Sequence, residues 1–263
     1  MKTRRLTTAL LTGLLFVPLA SADDEFDALQ REFDEAQREW YQELEKYRGE
    51  DGIYRYNADD MPPNPTDVFL PRFRAYAEKH AGTPAALPAL VWIINETRPS
   101  FSATGENTET PGKWAVDQIR KDHAGDAAIK AHLPRLRYAG YRVGSKPLMA
   151  LYERVLEVNK DKDARAWATF NLGYSCYEGS PGWRPGEKVD ADKERALELF
   201  RRAVKDYGGA KAAEYAAGYI YEIEHLQIGM KAPEIVGTDA DGKEIKLSQF
   251  RGQVVVLDFW GFW

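Results

Sequence analysis

The chain has 263 residues, 44% hydrophobic and 29% charged, a globular balance that excludes wholesale disorder and fits one or two domains. Its formal charge of −5 excludes a strongly basic protein built to hold nucleic acid or anionic lipid. The single cysteine, Cys176, excludes an intramolecular disulfide, so stability has to come from packing.

Residues 1–22 read as an export signal. Lys2, Arg4 and Arg5 precede an apolar stretch from Ala9 to Leu19, and Ala20-Ser21-Ala22 supplies a small-x-small cleavage site. The apolar stretch is too short to span a bilayer, and no cysteine follows it for lipid attachment. Cleavage after Ala22 leaves 33 basic against 41 acidic side chains, a formal charge of −8. The expected product is exported to the periplasm or beyond, soluble, with no membrane span and no nucleic-acid partner.

From Asp23 to Arg48, the apolar residues Phe26, Leu29, Phe33, Ala36, Trp40, Leu44 and Tyr47 recur in steps of three and four, one stripe of a helix that other helices should cover. Gly49 to Pro65 is a break rich in glycine and proline. Helical patterns resume at Pro71 to Phe73 and at Ala85 to Asn95, pause from Pro99 to Gly112, and return over Lys113–Gly125, Ile129–Tyr138, Leu148–Asn159 and Asp163–Tyr177. No period-two run appears before Ile235, so the middle of the chain is expected to be all-α.

That middle contains weak self-similarity. Ala196, Phe200 and Ala203, followed by Gly208, keep an A-x3-F-x2-A spacing, and Leu151–Leu156 lines up with Leu199–Val204 forty-eight positions later. Leu172-Gly173 and Ala217-Gly218-x2-Tyr221 supply small residues where two helices would approach closely. These residues resemble a tetratricopeptide repeat, although about eleven extra residues around Ser180 to Pro185 interrupt the best unit. An irregular helical bundle accounts for the same pattern.

After His225 the character changes. Gly229, Pro233 and Gly237 break the helix, and two short alternating runs, Glu234–Asp239 and Lys243–Leu247, meet around Asp241-Gly242, a hairpin signal. Ser248 is placed to cap a short turn ending at Gly252. Val254 to Phe259 is almost uninterrupted apolar sequence, as in a central strand covered on both faces.

Ile228 to Trp263, IGMKAPEIVGTDADGKEIKLSQFRGQVVVLDFWGFW, resembles the opening of an exported thioredoxin-like protein of the TlpA and redoxin type, within the AhpC/TSA superfamily. Gly229, Ala232, Pro233, Asp241, Gly242, Leu247, Phe250, Gly252, Phe259, Trp260 and Trp263 fill the family's positions; Gln253 stands where lysine is usual and Gly261 where alanine is common. The aromatic ending favours the C-x-x-C branch over the peroxiredoxins. The resemblance implies thiol–disulfide oxidoreductase activity on protein thiols and disulfides, with no cofactor and no metal. It places the first cysteine of C-x-x-C directly after Trp263, Asp258 at the family's strand aspartate, and Trp260 and Trp263 beside the redox site. Within these 263 residues the catalytic pair is absent, so a truncated and inactive module is expected, whether through an incomplete sequence, a nonsense codon or a misread selenocysteine codon.

The remaining candidates read as structural or surface groups. Cys176 lies beside Tyr174 and Tyr177 with no basic neighbour in sequence closer than Arg184, the pattern of a buried structural thiol. His80, His123, His132 and His225 read as surface titratable groups. Glu222-x-x-His225 lacks the second Glu-x-x-His of a di-iron site, and Asp122, His123 and Asp126 need further ligands to hold a metal. Asn95-Glu96-Thr97 matches a glycosylation sequon inside a helical pattern. Trp183, in a Pro- and Gly-rich loop, is the exposed aromatic suited to partner binding.

The expected fold is mainly α. A signal peptide (1–22) precedes a tetratricopeptide-like helical array (23–226), which presents or selects a protein partner. The first hairpin and core strand of an incomplete α/β thioredoxin-like domain (227–263) follow. A helical interaction module with a vestigial redox segment is the alternative.

Overall fold

The computed structural model describes residues 21–56, 60–98, 110–179 and 188–261. It divides into two compact units, Met1–Arg98 and Pro99–Trp263. The division falls inside the stretch read from sequence as one helical region, and the C-terminal segment groups with the second unit. The described residues are mainly helical, with one two-stranded sheet.

The first unit holds α1 (Ala22–Glu45), α2 (Pro65–Lys79) and α3 (Ala86–Glu96). Ser21 caps α1 through a capping box: its hydroxyl accepts from the Asp24 amide at 3.1 Å while the Asp24 carboxylate accepts from the Ser21 amide at 3.2 Å. The stripe predicted for this helix faces inward, with Leu29 and Phe33 buried. Phe33 meets Phe69, Phe73 and Trp92 edge-on at 4.9–6.2 Å, and Phe73 stacks on Trp92 at 3.7 Å. Such aromatic pairs add directional attraction to the area they bury. Ion pairs Arg72–Glu32 and Lys79–Glu25, at 2.5 and 2.6 Å, flank the α1–α2 seam.

The second unit begins with α4 (Pro111–Gln118), which runs on through a π-helical turn at Ile119–His123. Two single-turn helices follow, α5 (Leu133–Leu136) and α6 (Gly140–Val143), with 3-10 segments where one continuous helix was predicted over Ile129–Tyr138. Pro134 at the second position of α5 withholds an N–H and pre-sets a helix start there, which explains the fragmentation. Then come α7 (Ser145–Val158), α8 (Lys162–Glu178), α9 (Lys193–Tyr207) and α10 (Lys211–His225). Asp161 caps α8 and Asp192 caps α9 through their carboxylates.

α8 packs on α7 and α9, and α10 packs on both α9 and α8. The core between them contains Phe170, Ala196, Phe200, Ala203 and Ala216, so the A-x3-F-x2-A residues of α9 are all buried. A Cβ added at Gly173 would lie 2.8 Å from the Phe200 ring, which shows how closely α8 approaches α9. By contrast, Ala217, Gly218 and Tyr221 are exposed; α10 buries Ala212, Ala213 and Ala216.

β1 (Val236–Thr238) and β2 (Glu244–Lys246) form the antiparallel hairpin expected around Asp241-Gly242, with Gly237 opposite Ile245. Gly242 sits at φ +81°, a left-handed turn conformation that glycine adopts without strain. Ser248 lies inside the following 3-10 turn, Leu247–Phe250, rather than capping it. The strand expected over Val254–Phe259 is not formed. Apolar sequence alone does not make a strand: its amides and carbonyls need a neighbouring strand, and none is paired here.

Candidate functional site

The residues that carry the redox resemblance cluster around the hairpin. The Asp239 carboxylate accepts from the amides of Asp241 and Lys243 at 3.0 and 2.9 Å, an Asx turn that holds the hairpin loop closed. Glu234 ties the segment's start to the turn after β2: one carboxylate oxygen accepts from the Ser248 amide at 3.0 Å and from the Ile235 amide at 3.2 Å. Hydrogen bonds from the Ser248 hydroxyl and amide hold the Glu234 carboxyl below the usual carboxylate range. An open groove of about 780 Å³ lies between this turn and the end of α10, lined by Tyr221, His225, Met230, Pro233, Leu247 and Arg251.

Beyond the turn, Asp258 is exposed, so the burial expected at a thioredoxin-type aspartate is not present. Trp260 is 73% exposed, and Trp263 lies outside the described residues. Val254, Val256 and Phe259 are 98%, 88% and 83% exposed. The structure therefore does not bring Asp258 and Trp260 into an enclosed site.

Cys176 is buried in the α8–α9 core, as its sequence setting suggested. Burial raises its thiol above the ordinary range; Arg195 opposes the rise, and Asp192 and Glu153 add to it. Arg195 is nineteen positions away in sequence, and only the packing of α9 on α8 brings it near. A thiol so protonated is a poor nucleophile.

The histidines divide. His123 is 1% exposed, which corrects the surface reading, and its Nδ1 lies 2.8 Å from the Asp126 carboxylate. His132 titrates below the ordinary range because of burial and the nearby Arg135 charge. His80 Nε2 lies 3.3 Å from Glu25, and His225 Nδ1 lies 3.1 Å from the Tyr221 carbonyl. Glu222 accepts from the Tyr177 hydroxyl at 2.7 Å, so Glu222 and His225 use different partners. Among the described residues, no cluster of three or more His, Cys, Asp or Glu groups is placed to hold a metal ion. Asn95 stands within α3, and the Thr97 hydroxyl of the sequon donates to the Ile93 carbonyl at 2.6 Å. Trp183 and the loop around it lie outside the described residues.

Sequence reasoning passed over Arg137. Its guanidinium carbon stands 4.4 Å from the Tyr138 ring centroid, 4.9 Å from Tyr215, 5.5 Å from Phe170 and 5.9 Å from Tyr174. No motif marks it; the nearest sequence signal is the scattered set Tyr138, Phe170, Tyr174 and Tyr215, whose convergence on one arginine is a tertiary fact.

Among the described residues, no helix is long and apolar enough to cross a membrane. No family model and no solved structure matches the chain. It is similar to the thiol-disulfide oxidoreductase ResA of Bacillus thuringiensis subsp. konkukian, with 44% identity over 55 residues, 21% of this chain and 32% of that protein. It is also similar to ResA of Geobacillus thermodenitrificans, 38% over 47 residues (18% and 27%), and of Geobacillus kaustophilus, 50% over 38 residues (14% and 22%). The chain thus spans about a third or less of the length of the curated relatives it matches. These matches support a thioredoxin-like redox family for the matching stretch.

Proposed function

We propose that residues 227–263 are the opening portion of a thioredoxin-like thiol–disulfide oxidoreductase module, exported and carried behind a tetratricopeptide-like helical region. The observation that carries this reading is the 44% identity to a thiol-disulfide oxidoreductase, together with the ordered set from Gly229 to Trp263. In the completed module a cysteine or selenocysteine would follow Trp263 at the first turn of a helix, where the unpaired amides and the helix dipole favour the anion.

That anion attacks one sulfur of a substrate disulfide and expels the other as a thiolate. The second cysteine then attacks the mixed disulfide, leaving the module oxidised and the substrate reduced by two electrons. Asp258 would accept the resolving thiol's proton once neighbouring strands bury it. Trp260 and Trp263 would flank the exchanging sulfurs. No cofactor or metal enters these steps, and the partners are protein thiols and disulfides.

The 263 residues contain one thiol, buried Cys176, and no C-x-x-C. The expected result is that they show no disulfide reductase activity, while a version extended through C-x-x-C and the remaining sheet does. Turnover by the short form, or none by a folded extended form, overturns the reading. The second reading, a helical protein-interaction module with a vestigial redox segment, is favoured by the exposed tyrosines Tyr138, Tyr141, Tyr215 and Tyr221 on the second unit. An inactive extended form would leave that reading standing.

A further inference from the structure

Arg137 is ringed by four aromatic side chains, and its Nη2 is hydrogen-bonded to the Tyr138 hydroxyl. Its Nε and Nη1 are buried without any acceptor, and no carboxylate among the described residues pairs with it. Stacking on π faces offsets the charge. It does not satisfy N–H groups that lie in the ring plane, and buried donors of this kind are rare in native proteins. The positive charge is felt locally, since it opposes the burial-driven rise of the Tyr174 and Tyr219 hydroxyls.

A guanidinium offers two edges that can grip a carboxylate with paired hydrogen bonds, and Nη2 belongs to both. The Tyr138 hydroxyl takes one of the two Nη2 hydrogens and so competes with a bidentate ligand for the edge that uses it. Tyr138 is 56% exposed, so its ring can swing into solvent without disturbing the core. A cavity of about 390 Å³ opens beside it, with Tyr141, Ser145, Tyr174 and Glu178 on its walls.

We propose that Arg137 is a binding site for a carboxylate of a partner polypeptide, with the Tyr138 hydroxyl as a placeholder that the ligand displaces. The exposed rings of Tyr138, Tyr141 and Tyr215 form an aromatic surround suited to a peptide's flanking residues. Glu178, on the wall of the cavity, disfavours a dianion and so selects carboxylate over phosphate. The site is independent of thiol exchange.

The test is NMR titration of the Arg137 Nε–Hε resonance in the full chain. The probes are a short aromatic peptide with a free C-terminal carboxylate, the same peptide as its C-terminal amide, acetate, and inorganic phosphate. The acid peptide is expected to shift the resonance and to bind at least about tenfold more tightly than the amide, the scale of one charge-assisted hydrogen bond. Tyr138→Phe, which keeps the ring and removes the competing hydroxyl, is expected to tighten binding severalfold. Arg137→Lys is expected to weaken it by about tenfold, since the charge stays and the fork is lost. Equal binding of acid and amide, tighter binding of phosphate, acetate matching the peptide, or an unchanged affinity in folded Tyr138→Phe would each overturn the proposal.

Discussion

Asn159 donates through Nδ2 to the carbonyl of Ala124 at 2.8 Å across thirty-five positions of sequence. The same nitrogen reaches the Asp126 carbonyl at 2.9 Å, and Oδ1 accepts from the Asp161 amide. One buried amide thus fastens the loop after α4 to the corner between α7 and α8. Asn159→Ala would strand the Ala124 carbonyl and the Asp161 amide, leaving the Asp126 carbonyl only its bond from the Ile129 amide, and is expected to destabilise the protein by about 2–4 kcal/mol. Urea denaturation followed by circular dichroism checks this; a loss under about 0.5 kcal/mol would show that water replaces the side chain without cost.

At Gly173 two effects compete. Alanine in a helix interior is worth about 1 kcal/mol over glycine. The new Cβ, however, would meet Phe200 at 2.8 and 3.0 Å and Leu199 at 3.2 Å. Overpacking a core costs about 1–3 kcal/mol. Gly173→Ala is expected to lower the melting temperature and Gly218→Ala, with open space around its Cβ, to raise it. A higher melting temperature for Gly173→Ala would mean that α8 and α9 can separate cheaply.

Acid should loosen the first unit through Glu25. Its carboxyl titrates below the ordinary range, chiefly because Lys79 donates to it, with a smaller contribution from His80. A depressed folded value contributes stability above the unfolded pKa of about 4.3, and this is lost as pH falls through the folded value. Glu25→Gln is expected to cost a few tenths of a kcal/mol at neutral pH, because the pair is largely exposed. The difference should narrow as pH falls below the unfolded value and vanish once the folded carboxyl is protonated. Thermal unfolding of both proteins across that range decides it, and a gap that persists at low pH would place the effect in packing instead.

Cys176 should be chemically quiet in the folded protein. Its burial and raised thiol pKa predict alkylation by iodoacetamide far slower than in 6–8 M urea, the unfolded reference, at about pH 8. Equal rates in the two states would show that the α8–α9 core opens readily.

The amides of Val254 to Phe259 should exchange with solvent near their intrinsic rates, since they are not paired in any sheet, while those of Phe170 and Leu172 in α8 stay protected. Hydrogen exchange read by NMR or mass spectrometry distinguishes these. Protection of Val254–Phe259 equal to that of α8 would reveal a partner for the strand.

The stripe from Phe26 to Tyr47, the buried spacing of Ala196, Phe200 and Ala203, and the Asp241-Gly242 hairpin could all be read in order along the chain. Each is a local matter: helical period, side-chain size and turn conformation are set by residues a few positions apart. The motif from Gly229 to Trp263 was legible for the same reason. What only the tertiary structure decided depends on groups distant in sequence. Val254–Phe259 has strand sequence yet forms none, because pairing requires a neighbour that its own residues cannot supply. His123 is inside rather than outside, Arg195 approaches Cys176, and Arg137 enters a ring drawn from its neighbour Tyr138 and two further helices. Burial and charge proximity are properties of the packed molecule, and sequence periodicity carries no term for which helix lands beside which.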